Sequence, residues 1–187
     1  MDEVRGGRDL FLRRPHEIKH NVAWPMTRQK AKKKLFGTVL SHDTVGAYLH
    51  YWRGRSTPHV YEGICEPCTK GYPFRYYGYL AALVGNEDLC AIVEFTDAAM
   101  AQVDAAFCKF RTLRGLAFCL TRTSVRTNGR LHAVFQENRR MQTQLPSAPD
   151  VMKILMNMWE VPEIFKIELE SQMALNRLQK RPDSASG

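Results

Sequence analysis

Residues 96–136, TDAAMAQVDAAFCKFRTLRGLAFCLTRTSVRTNGRLHAVFQ, carry the pattern on which a reading of the fold turns. Thr96 or Asp97 can cap a helix in which Ala98, Ala101, Ala105 and Phe107 or Cys108 recur at helical spacing. The period then changes. LRGLAFCLTRTS and RLHAVFQ read as strands, and the Asn128-Gly129 pair between them is a strong hairpin signal. A helix standing before the last two strands of a β-rich chain narrows the topologies to a few.

Upstream, LFGTVL from Leu35 and TVGAYLHYW to Trp52 are rich in β-branched and aromatic residues and flank the turn-like Ser41-His42-Asp43, which predicts a hairpin. FRYYGYLAALVG and LCAIVEF, either side of Gly85-Asn86-Glu87-Asp88, read as an interrupted third strand. Five strands with a helix between the third and fourth is the order of an OB-fold, a small barrel that binds mostly oligonucleotides and oligosaccharides. A short mixed α+β sheet is the competing architecture. The expected division is a flexible basic arm over 1–34, an OB-fold domain over 35–144 with a polar loop at 53–73, and a helical extension over 145–187 with a frayed end. In that extension VMKILMNMWE and EIFKIELESQMALNRLQKR are separated at Val161-Pro162. Ile164, Ile167, Leu169, Met173, Leu175 and Leu178 suit a helix with one apolar side, packed on the barrel or on another chain.

Composition narrows the class of protein. The chain has 187 residues, 44% hydrophobic and 25% charged, which excludes disorder throughout. No run of about 18 apolar residues occurs, and MDEVRGGRDLFLRR lacks the apolar core of a signal peptide, so a soluble intracellular protein is expected. Five Cys, with Cys90, Cys108 and Cys119 set singly among apolar neighbours, do not resemble a secreted disulfide framework.

Charge is unevenly placed. The net charge is +8, but residues 1–34 carry +6 and 109–140 carry +7, while 81–108 carry −5. Basic segments flanking a neutral, aromatic-rich one suit a polyanion, because each neutralised phosphate releases counterions. In an OB barrel the ligand lies on strands 2 and 3 and the loops joining 1–2 and 4–5. Period-2 geometry places Tyr48, His50 and Trp52 on one face of strand 2, and in strand 3 Arg75, Tyr77 and Tyr79 alternate with Phe74, Tyr76, Gly78 and Leu80, so whichever set faces out offers an aromatic. Tyr48, Trp52 and Tyr77 are the expected stacking residues. Arg53, Arg55, Arg75, Arg122, Arg126, Arg130 and Lys30, Lys32, Lys33 and Lys34 are the expected phosphate contacts. Packing of the same rings beneath the arm or the helices is the alternative.

The loop holds a second constellation. His59, Cys65 and Cys68 are polar-loop residues in which a C-x2-C knuckle can converge two thiolates on one zinc ion, and His50 can supply a fourth ligand or instead a stacking surface. The zinc-deaminase pattern H-x-E followed by P-C-x-x-C does not fit, since Glu62 lies three residues after His59 and Ile64 precedes Cys65. No phosphate loop, H-E-x-x-H or G-x-S-x-G occurs.

A basic arm before an OB-fold with a His/Cys zinc resembles the zinc-containing OB-fold single-stranded-DNA-binding proteins of T-even phages. The likeness spans Leu35–Gln136 and is one of architecture, without a contiguous motif. It implies a structural zinc and a non-enzymatic role in holding single strands. The chain departs from such proteins in ending RPDSASG rather than in an acidic tail. The expected function is therefore single-stranded nucleic-acid binding, DNA favoured over RNA. The rival readings are an adaptor that binds protein, or a second copy of itself, through barrel and C-terminal helices, and a zinc enzyme.

Overall fold

The computed structural model describes residues 24–30, 33–60, 65–85, 89–123, 130–137 and 145–180. In chain order the elements are β1 (Met26–Thr27), β2 (Lys34–Val39), β3 (Val45–Trp52), β4 (Arg55–Pro58), α1 (Glu66–Thr69), β5 (Phe74–Val84), β6 (Leu89–Thr96), α2 (Asp97–Phe110), β7 (Leu116–Arg122), β8 (Leu131–Glu137), α3 (Val151–Met158) and α4 (Glu163–Lys180). The strands form one mixed, open sheet of eight.

β5 is its hub. Along one edge it pairs with β6, from Tyr77 opposite Thr96 to Val84 opposite Leu89. Along the other it pairs first with β3, from Phe74 opposite His50 to Tyr79 opposite Val45, and then with β2, from Ala82 opposite Val39 to Val84 opposite Gly37. Where β2 gives way to β3 the buried Ser41 hydroxyl accepts a hydrogen bond of 2.7 Å from the Ala81 N–H, so the ladder loses no partner at the break. β2 continues the sheet to β7 and β7 to β8, all antiparallel. β1 adds a parallel edge to β6, and β4 pairs with β3.

β2 and β3 are not a hairpin; they lie end to end on one edge of β5. The interrupted third strand is two strands, because the turn after Val84 reverses the chain and lets β6 zip back along β5. The long helix α2 consequently follows six strands of the sheet rather than three. The described pairings leave the sheet open and do not close it into a five-stranded barrel. Residues 24–29, within the segment expected as an arm, include β1, with Trp24 and Met26 packed on the core and Gln29 buried.

Alternation along β5 explains the layering. Tyr76, Leu80, Ala82 and Val84 point into a core closed by Met100, Val103 and Ala106 of α2, while Tyr79, Ala81 and Leu83 point into a second core closed by Leu155 and Met156 of α3 and Leu169 and Met173 of α4. Gly78 leaves room for Met100 of α2, since a Cβ there would overlap the Met100 sulfur and the side chain would have to shift. The central strands are thus buried on both faces, which is why they read as near-continuous apolar runs. Arg177 of α4, buried, ties the outer layers together with Nη2 at 2.6 Å from Asp104 Oδ1 on α2 and 3.3 Å from Asp43 Oδ1 after β2. No helix among the described residues is long and apolar enough to cross a membrane.

Candidate functional site

A β-hairpin missed in the sequence builds the metal-ligating cluster. Arg53 and Gly54, with φ of 49° and 77°, form the two-residue turn that returns β3 into β4, a left-handed pair that suits the twist of a tight hairpin. The return sets His59 beside β3, its N–H donating to the Tyr48 carbonyl at 2.8 Å, so two histidines nine residues apart in sequence meet. The Arg-Gly pair followed by RSTP was the available signal. The Cys65 carbonyl then accepts from the Cys68 N–H at 3.0 Å at the start of α1, which is the turn that converges both thiols, and Gly71, with φ of 74°, sends the chain on toward β5.

His50 Nε2, His59 Nδ1 and the Cys65 and Cys68 sulfurs lie within 4.8 Å of one another and could hold a metal ion. His50 Nε2 is 3.2 Å from His59 Nδ1, and Cys68 Sγ is 3.4 Å and 3.3 Å from these nitrogens. His50, His59 and Cys65 are buried. His50 Nδ1 is buried with no hydrogen-bond partner among the described residues, so packing orients the ring. Phe74 supplies that packing, stacked on His59 at 4.2 Å and edge-on to His50 at 5.7 Å. No disulfide joins any of the five cysteines, and Cys90, Cys108 and Cys119 stand outside the cluster.

The residues expected to stack on bases are divided between the two faces of the sheet. Tyr48 faces α2 and packs edge-on against Phe74 at 5.5 Å and Tyr76 at 5.2 Å. Trp52 packs on Tyr72 at 4.5 Å. Tyr77 lies on the opposite face, against the core closed by α3 and α4. The aromatic neighbours of Tyr48 on its face are thus Phe74 and Tyr76, the alternate set of β5, while Tyr77 is turned to the side that the C-terminal helices cover. Arg53 is 3.3 Å from Glu66 and lies over the Trp52 ring, and Arg55 is 3.5 Å from Glu160. Arg75 is exposed and borders an open cleft of about 390 Å³ that Tyr48, Phe74 and Asp97 also line.

The remaining basic residues converge elsewhere. Lys34 is paired opposite Thr121, and Arg122 opposite Leu131, so the start of β2, the end of β7 and the start of β8 share one end of the sheet. Gln29 braces this end by donating to the carbonyls of Lys30 and Lys33, and Arg122 Nε donates to the Gln29 carbonyl at 3.0 Å. Lys30, Lys33, Lys34 and Arg130 are exposed, and none forms a salt bridge among the described residues. Lys32 and Arg126 lie outside the described residues. Arg28, by contrast, is neutralised by Glu94 at 2.9 Å. Comparisons with protein families, curated proteins and solved structures find no match for this chain.

Proposed function

We propose that the protein is a non-enzymatic single-stranded nucleic-acid-binding protein, DNA favoured over RNA, whose His/Cys cluster holds one structural zinc. The observation that carries the reading is the convergence of Lys30, Lys33, Lys34, Arg122 and Arg130 at one end of the sheet. Two segments about ninety residues apart in sequence bring their cations together there. Exposed cations on a braced backbone suit phosphates, since little freedom is lost when they are engaged.

Zinc suits the cluster on geometry and donor chemistry. A tetrahedral ion at ordinary zinc distances places nitrogen donors about 3.3 Å apart and nitrogen and sulfur about 3.6 Å apart. The spacings of 3.2 Å, 3.3 Å and 3.4 Å are close to these. Four protein donors complete the coordination, which supports a structural role over a catalytic one. In this reading His50 is a ligand rather than a stacking surface.

The adaptor reading draws on one observation, the exposure of Ile167, Leu175 and Leu178 along α4. The deciding experiment is a salt-titrated binding assay with oligo(dT) and a duplex of equal length. Binding to the single strand that weakens steeply with salt is expected. Absence of affinity for either at low salt overturns the nucleic-acid reading and leaves the adaptor.

A further inference from the structure

At the basic end of the sheet one face exposes apolar side chains that no described helix or strand covers. On β2, β7 and β8 the residues Leu35, Val39, Phe118, Leu120, Leu131 and Ala133 point into the core beneath α2, which turns Phe36, Cys119 and Val134 to the other side. These three are cross-strand neighbours in one row, and Lys34, Thr121 and His132 form the next row toward the basic end. Phe36 is 46% exposed and Val134 64% exposed. The outward ring was readable in the sequence: in LFGTVL, Leu35 and Val39 inward require Phe36 outward.

We infer that this face is the track for a single strand, with one base stacked on Phe36 and the adjoining phosphates led to Lys33, Lys34 and Arg130. The inference rests on the nucleic-acid reading and adds to it a site remote from the metal. β5 separates the two: His50 is paired with Phe74 at one end of that strand and Gly37 with Val84 at the other, roughly 33 Å away at the rise of a β-strand. Charge complementarity selects the occupant. The ring offers a π-face one strand step from Lys34, and exposed cations rim one side of the row. A duplex gains little from Phe36, because its bases are already stacked on their neighbours, whereas unpaired bases can splay onto a ring.

The test compares wild type with Phe36→Ala and Phe36→Trp for binding to oligo(dT) and to a duplex, alongside sedimentation of each. Because Phe36 is half exposed, both variants are expected to fold, and their melting temperatures check this. Phe36→Ala is expected to weaken oligo(dT) binding by about 5- to 150-fold, to leave duplex binding and the salt slope nearly unchanged, and to be rescued by Phe36→Trp. Photo-crosslinking of bromodeoxyuridine-substituted oligo(dT) is expected to label Phe36. If wild type binds oligo(dT) and Phe36→Ala binds it equally, the track is overturned while the nucleic-acid reading stands. A wild-type dimer that Phe36→Ala dissociates, with oligo(dT) binding unaltered, overturns it in favour of a copy interface. If wild type binds no nucleic acid at all, both fall.

Discussion

Replacing Asp104 by Ala tests how firmly the C-terminal helices belong to the domain. Arg177 Nη2 is 2.6 Å from Asp104, with both side chains nearly sealed from solvent at 8% and 5% exposure. Its Nε and Nη1 have no partners in the described residues, so this contact bears most of the compensation for burying the charge. Asp43, at 3.3 Å and 36% exposed, is the remaining partner and a weaker one. Burial alone lowers the affinity of the guanidinium for its proton, but the Asp104 hydrogen bond and the charges of Asp104 and Asp43 more than reverse that, so Arg177 stays charged. Breaking a buried pair on one side costs about 3–5 kcal/mol, and the residual Asp43 contact points to the lower end, about 3 kcal/mol. For a chain of this size that is roughly 6–12 °C in melting temperature. Thermal unfolding by circular dichroism reads it, and Asp104→Leu combined with Arg177→Met should recover most of the loss, since both buried charges are then removed and Asp43 is part-exposed to water. A drop under about 1 kcal/mol for Asp104→Ala, the scale of an exposed pair, would show α4 to be a detachable cover, which would reopen the Tyr77 side of the sheet to a ligand.

Three further outcomes are expected. Protein purified without added metal should carry one zinc per chain by elemental analysis, and Cys65→Ser or Cys68→Ser should lose it; at free zinc a thousandfold above Kd, chelation should remove about 4 kcal/mol of stability. Truncation after Gln144 removes Leu155, Met156, Leu169 and Met173 from their core, and the product should bind a hydrophobic dye and lose its cooperative melt. Alkaline pH should destabilise the fold. Burial raises Tyr76 to about 12, and burial together with Glu94 raises Tyr79 well above its ordinary value. The native chain therefore holds protons that the unfolded chain releases from about pH 10. Stability present below that pH falls as pH rises toward about 12, whereas a flat urea midpoint over that window would contradict it.

Local patterns were legible where they were self-contained. The span of α2, the alternation of β3 and the C-x2-C knuckle each reside in fewer than about twenty contiguous residues, and each has a direct counterpart in the structure. The face of α2 does not: Ala98, Ala101, Ala105 and Cys108 lie on its exposed side, and Ala99, Met100, Val103 and Ala106 are the residues buried against the sheet. The placement of β2 and β3 along β5 was not legible, because alternation says which residues share a face and nothing about which strand lies beside them. Tyr77 was misplaced for a related reason. Both faces of β5 are aromatic or apolar, so its sequence cannot say which side α3 and α4 cover. The helices that pack over the Tyr77 side, α3 and α4, lie far along the chain and leave no local trace in β5. The convergence of Lys34 with Arg122 likewise depends on β2 pairing with β7, a register that only the assembled sheet reveals.

The most direct probe of the nucleic-acid reading is the salt dependence of oligo(dT) binding, compared between two charge-matched double variants. Lys33→Ala with Lys34→Ala removes two cations from the basic end, and Lys109→Ala with Lys153→Ala removes the same charge from α2 and α3. A contact that releases counterions contributes about 0.7 to the slope of log K against log[salt] on a single strand. The first pair is expected to flatten the slope by up to about 1.4, and the second to leave it unchanged. Equal slopes for the two pairs would contradict the reading, because binding would then follow net charge and not the basic end of the sheet.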